Sequence, residues 1–185
     1  MAYLYRYDWM VTPYINSNFS KHDKVIKSFN EALYFLDAFQ VKKIFGEIAL
    51  KVIKNGCYYG YVIYNNDTAY IQELDVNYCR SRFNTGGKPA VEFNMKFFDD
   101  TYTDPAFRLK VLDAFPKEFK KGYLLYKEGK LPPDTKGDKP GWYLLDTKFT
   151  CKFNIHDNDY PLFINAIPAL VDLDAAQDLD RKKMA

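Results

Sequence analysis

Residues 48–83 read IALKVIKNGCYYGYVIYNNDTAYIQELDVNYCRSRF, and the change of period inside this stretch decides the fold. Up to Lys54 the apolar residues recur at three- and four-residue steps. Val41, Ile44, Phe45, Ile48 and Val52 form one stripe of a helix spanning about Val41–Lys54. Asn55-Gly56 stops that helix, because glycine takes the left-handed C-terminal position without a Cβ penalty. From Cys57 the period shortens to two. Cys57–Tyr64 and Thr68–Leu74, separated by Asn65-Asn66-Asp67, read as a β-hairpin, since Asn and Asp tolerate the positive φ of such turns. Both faces of its first strand are apolar, Tyr59, Tyr61 and Ile63 on one and Tyr58, Val62 and Tyr64 on the other. A central strand is expected, covered on one face by the preceding helices and on the other by another part of the chain or a neighbouring subunit.

Upstream, Val25, Ile26, Phe29, Leu33 and Leu36 mark an earlier helix, and its short link to the next implies a helical hairpin. Residues 1–23 read as an N-terminal arm ending near the polar cluster Asn16–Ser20. Downstream, Tyr78–Phe83 reads as a third strand, Asn84–Gly87 as a turn and Ala90–Phe98 as a fourth strand. In the last, Val91, Phe93, Met95 and Phe97 alternate with Glu92, Asn94 and Lys96, which predicts one buried and one wet face. Asp104-Pro105 opens a helix to about Phe115, with an acidic N-cap and proline at the first helical position. Pro116–Tyr126 forms a further turn or helix.

Gly129–Gly141 is a Pro-, Gly- and Lys-rich flexible loop. Beyond it come strands Trp142–Leu145 and Thr150–Ile155, the second burying Cys151, Phe153 and Ile155 and exposing Lys152 and Asn154. A helix follows over Asp172–Ala185, with Asp172, Asp174, Asp178 and Asp180 early and Arg181, Lys182 and Lys183 late, as the helix dipole favours. The class is therefore α+β: an N-terminal helical hairpin packed on a mostly antiparallel sheet, additional helices, and a C-terminal helix that can continue beyond a fragment ending here. The segments are the arm 1–23, the hairpin and β-rich unit 24–128, the loop 129–141, and the strands and helix of 142–185.

At 185 residues, 48% apolar and 27% charged, the chain is long enough to bury a substantial core and is not wholesale disordered. A net charge of +2 leaves any nucleic-acid contact to a local patch. Aromatics are the outlier, with 16 Tyr and 15 Phe; tyrosine in that quantity suits surfaces half apolar and half wet, as at subunit interfaces. Cys57, Cys79 and Cys151 are odd in number and lack a CxxC pair, so reduced thiols in an intracellular setting are expected. No apolar run approaches the roughly 20 residues that cross a bilayer, and no membrane contact is expected.

Few residues invite chemistry. His156, Asp157 and Asp159 suggest a metal site, but Asn and Asp in NIHDND are the usual residues of a turn, and no second ligand cluster lies nearby in sequence. Asp99-Asp100 could pair as carboxylate ligands, but a strand end solvating a loop is the better reading. Thr85-Gly86-Gly87-Lys88-Pro89 lacks the Ser or Thr that follows the lysine of a P-loop, and a hairpin turn fits it better. With only His22 and His156 present, a nucleophile–histidine pair has little to draw on. No catalysis, cofactor or metal is expected. Lys117–Lys139 holds seven lysines and four acids. With Phe119, Tyr123 and Tyr126 interleaved, Lys117, Lys120, Lys121 and Lys127 are candidates for nucleic-acid contact, the bland reading being a solvated helix face and loop. Arg80 and Arg82, alternating on one strand face, could serve the same purpose or form intersubunit ion pairs. Tyr58, Tyr61 and Tyr64 complete the candidate interface.

The helix leading into Asn55-Gly56-Cys57-Tyr58-Tyr59-Gly60-Tyr61, the hairpin ending Ile71-Gln72-Glu73-Leu74-Asp75, the run Tyr78-Cys79-Arg80-Ser81-Arg82-Phe83, the segment Phe93-Asn94-Met95-Lys96-Phe97-Phe98 and the tail from Ile167-Pro168-Ala169-Leu170 to Asp180-Arg181-Lys182-Lys183-Met184 together resemble the N-terminal wing region of the portal (upper collar, head–tail connector) proteins of tailed bacteriophages. The resemblance covers most of the chain from about Phe29, and its motifs are a pattern of helix, glycine-tyrosine strand, hairpin and loop without a catalytic signature. It implies a structural virion protein: a homo-oligomeric ring, a dodecamer in that family, at one capsid vertex. Such a ring passes double-stranded DNA and contacts the capsid, the packaging motor and tail or adaptor proteins. It also implies the host cytoplasm during assembly. Portals are considerably longer than this chain, so these residues alone are expected to be monomeric or weakly associating and a longer parent to close the ring. The alternative is a nucleic-acid-binding module using an aromatic sheet face and the Lys-rich segment.

Overall fold

The computed structural model describes residues 23–65, 69–131, 141–155 and 159–174. In chain order its helices are α1 (Asp23–Ala38), α2 (Val41–Asn55), α3 (Phe97–Thr101), α4 (Pro105–Ala114) and α5 (Lys117–Lys127). Its strands are β1 (Cys57–Tyr64), β2 (Ala69–Leu74), β3 (Cys79–Arg80), β4 (Asn84–Thr85), β5 (Lys88–Pro89), β6 (Glu92–Asn94), β7 (Trp142–Leu144) and β8 (Thr150–Asn154). Residues 167–174 are helical as well. The α+β class follows directly.

Gly56 ends α2 with φ 87°, its N–H donating to the Val52 carbonyl. A side chain is barred there twice: by the positive φ, and because a Cβ would lie 2.3 Å from the backbone of Asp159 and Tyr160. The chain then enters β1, which is central in the order β2-β1-β8 and antiparallel to both neighbours. Tyr59 lies opposite Leu74 and Lys152, and Gly60 opposite Glu73 and Cys151. Both faces of β1 are covered by this chain itself. Tyr58 packs on Ile48 and Val52 of α2, with Ile71 and Phe153 beside them. Cys57, Tyr59 and Tyr61 face the main core with Phe93, Met95, Phe98 and Phe119.

A second sheet, β3-β6-β7, frames that core, and α4 and α5 supply Leu112, Phe119 and Tyr123 to it. The ring of Phe93 meets Phe97, Phe98 and Phe119 edge to face at centroid distances of 5.4, 6.1 and 5.3 Å, the geometry aromatic quadrupoles prefer. Because β7 and β8 pair with β6 and β1, the residues after the loop complete the unit begun before it. Helix α4 opens as its sequence predicts: the Asp104 carboxylate accepts from the Ala106 N–H at 3.0 Å, with Pro105 at the first helical position. Gly86 and Gly87, at φ 59° and 77°, turn β4 into β5, so the TGGKP segment is a two-residue hairpin turn.

Several expectations need correction. The strand over Tyr78–Phe83 shrinks to Cys79–Arg80, preceded by a 3-10 turn at Val76–Tyr78 that Asp75 caps. The strand over Ala90–Phe98 is only Glu92–Asn94. Asn94 Oδ1 accepts from the Lys96 N–H at 3.0 Å, bending the chain out of the sheet and into α3. Phe98 is thereby buried and Phe97 half-buried on a helix, not on alternating strand positions. Glu92 is inside, 8% exposed, and not on a wet face. In β8, Ile155 is exposed past the strand end, while the Lys152 side chain is tucked against Asp159 at 2.6 Å. Of the helical hairpin only α2 contributes buried residues; α1 has none. The arm over 1–22, residues 66–68, loop residues 132–140, His156, Asp157 and the tail from 175 lie outside the described residues.

Candidate assembly surface

The tyrosines proposed for an interface divide. Tyr58 and Tyr61 are each 5% exposed and spent inside the chain, whereas Tyr64 is 63% exposed at the open end of β1, its ring 5.9 Å from that of Phe149. Abundant tyrosine here serves the core and its carboxylates. Tyr61 Oη donates to Glu118 Oε2 at 2.8 Å, and Glu118 Oε1 accepts the Asp146 N–H at 2.7 Å, tying β1, α5 and the turn before β8 together. Tyr123 Oη donates to Asp99 at 2.7 Å, and Tyr78 Oη to Asp100 at 3.1 Å. Burial pushes the phenols of Tyr58, Tyr59 and Tyr61 up, and Asp159 and Glu118 push the last two further.

Arg80 and Arg82 converge on one carboxylate of their own chain. The Nε of each donates to Glu92 Oε2 at 2.8 Å, Arg82 Nη2 reaches Oε1 at 2.8 Å, and the Arg80 guanidinium lies 3.9 Å from the centre of the Trp142 ring. The ion pairs considered between subunits therefore form inside one subunit, across the β3–β6 register that sets Arg80 opposite Glu92.

Asp99 and Asp100 are occupied too. Asp99 accepts from Lys127 at 2.6 Å and pairs with Arg108 at 2.6 Å; Asp100 pairs with Lys96 at 3.0 Å. Burial pushes the Asp99 carboxyl up, but the hydrogen bonds from Lys127 and Tyr123 and the charges of Lys127 and Arg108 outweigh it and hold it below its ordinary value. Lys127 thus belongs to a structural network. Burial also raises Cys57 and Cys79 and pushes Cys151 up to about 11, so all three thiols stay protonated near neutrality. Among the described residues no three His, Cys, Asp or Glu side chains converge as metal ligands, and no helix is long and apolar enough to cross a membrane.

Lys117, Lys120 and Lys121 are exposed on α5 and line a groove of about 630 Å³ against α4. Lys120 is paired with Asp113 at 2.5 Å. Two apolar surfaces escaped the sequence reading. On α1, Val25, Phe29 and Leu33 are half-buried, but Ile26, Tyr34 and Phe35 are exposed. Past Pro161 every residue from 162 to 174 is exposed, including Leu162, Phe163, Ile167, Leu170, Val171 and Leu173. The signal was present: Tyr34 and Phe35 are large apolar residues off the α1 stripe, and YPLFINAIPALVDL holds more apolar positions than one helix face buries.

No protein-family model, curated protein or solved structure matches the chain.

Proposed function

We propose that the chain is a structural, non-enzymatic subunit of a ring of the phage-portal kind, its aromatic core making a rigid wing and its outlying helices joining it to neighbours. In this reading the ring sits at a capsid vertex of the virion, is assembled in the host cytoplasm, passes double-stranded DNA, and meets capsid, packaging motor and tail or adaptor proteins. The observation that carries it is the apolar exposure of α1 and of 162–173, at either end of the described residues, beside a core that the other described residues enclose. Exposed apolar residues gathered along one stretch of chain, as in 162–173, suit an interaction site.

The rival reading, a nucleic-acid-binding module, keeps only its lysines: the aromatic faces of β1 are covered on both sides and leave bases little to stack on. Sedimentation velocity on the wild-type chain and on Phe35→Asp and Leu173→Asp separates the two. Concentration-dependent association of the wild type that either substitution weakens, at an unchanged melting midpoint, is the expected result. A wild-type chain that stays monomeric while binding single-stranded nucleic acid contradicts the ring.

A further inference from the structure

The groove between α4 and α5 has an apolar floor of Leu112, Phe115, Leu124 and Leu125 and a charged rim. The rim acids are already compensated: Asp113 pairs with Lys120 at 2.5 Å and Glu128 with Lys130 at 2.8 Å. That leaves Lys117 and Lys121, four residues apart on α5 and both exposed, with no ion pair among the described residues. Among the described residues the groove therefore presents two positive charges that no acid pairs with, beside leucine and phenylalanine.

The helical stretch 167–174, IPALVDLD, is its counterpart in composition and charge. Ile167, Leu170, Val171 and Leu173 are 54–62% exposed, and Asp172 and Asp174 add two negative charges to the same two turns. Eight helical residues extend about 12 Å, the length of a short helix seated across a pair of neighbours. No described residue of the same chain covers either surface: Leu124 is 53% exposed and all of 162–174 is exposed.

We propose that the α4–α5 groove receives the 167–174 helix of a second copy of this chain. The contact is head-to-tail: each copy offers one groove and one helix, so the chain of contacts must close into a ring or grow into a filament. This inference rests on the ring-forming reading and names the surfaces that would make the joint. Charge complementarity supplies register and partner choice, and burial of the apolar side chains supplies the affinity.

Leu124→Glu spoils the groove and Leu170→Glu spoils the helix, and both positions are exposed enough for the fold to tolerate them. By native mass spectrometry each variant alone should lose the oligomers of the wild type, its apparent dissociation constant rising at least tenfold. An equimolar mixture should form a one-to-one pair that grows no further, because one intact groove and one intact helix remain between the two chains. Lys117→Glu with Lys121→Glu should weaken association, and Asp172→Lys with Asp174→Lys added to the same chain should restore it. A wild type that associates while either leucine variant assembles equally well overturns this contact and leaves the ring reading standing. A mixture that yields no pair, or groove lysines whose loss abolishes DNA binding but not association, also overturns it. A wild type that never associates overturns this contact, and one that in addition binds single-stranded nucleic acid as a monomer overturns the ring reading as well.

Discussion

Glu92 shows how a charged residue can belong to a core. Its carboxylate takes hydrogen bonds from Arg80 and Arg82, and Arg80 in turn lies over Trp142. Removing it strands a largely buried guanidinium, so Glu92→Ala should cost on the order of 3 kcal/mol, comparable to the ~3–5 kcal/mol expected of Phe93→Ala. Lys96→Ala, at an exposed pair with Asp100, should leave the denaturation midpoint unmoved. Chemical denaturation of the three variants checks this ordering, and a neutral Glu92→Ala would return that residue to a solvated face. Strict alternation in the sequence identifies Phe93 as buried and misplaces Glu92, because the pairing of Arg80 with Glu92 depends on a register between two short strands that no local pattern encodes. Asp99 makes a second prediction. Its carboxyl is held below its ordinary value in the folded chain, so its contribution is fully present above the unfolded value of about 3.9 and is lost as pH falls through the folded one. The stability difference between wild type and Asp99→Asn should therefore be greatest near neutrality and shrink below about pH 4. A difference independent of pH would assign the loss to packing.

Among the elements, those legible in advance carry their own punctuation. Gly56 closes α2, Asp104 and Pro105 open α4, and the aromatic and β-branched runs of β1 and β2 pair as antiparallel neighbours. The element that misleads is 90–98, where alternation continues past the point at which Asn94 turns the backbone and hands Phe97 and Phe98 to a helix. The same region explains Gly122 on α5. A Cβ there would meet Met95 Cε at 2.5 Å and the Tyr143 ring at 2.8 Å, so α5 lies on β6 and β7 at a distance only glycine permits. Alanine normally improves a helix interior by ~1 kcal/mol over glycine, but overpacking costs about 1–3 kcal/mol, and Tyr143 is a ring wedged in the sheet rather than a flexible chain end. Gly122→Ala should lower the thermal midpoint, read by circular dichroism; a raised midpoint would mean the α5–sheet contact is looser than it stands.

For the whole molecule, the two sheets, α2 and the α4–α5 pair account for the core of the described residues, and many of the aromatic residues lie there. Among the described residues, exposed large apolar side chains gather on α1 and along 162–174, with others at Tyr64, Phe107, Leu109, Leu124 and Leu144. Neither surface is legible from periodicity alone, since an apolar residue off the core stripe looks the same whether it meets a partner or water. In the ring we propose, further copies of the chain cover those surfaces. Native mass spectrometry of the wild-type chain over a concentration series, with single-stranded DNA present throughout, tests it most directly. Oligomers that build with concentration and carry no DNA are the expected result. Monomers at every concentration, each bound to the DNA, would contradict it.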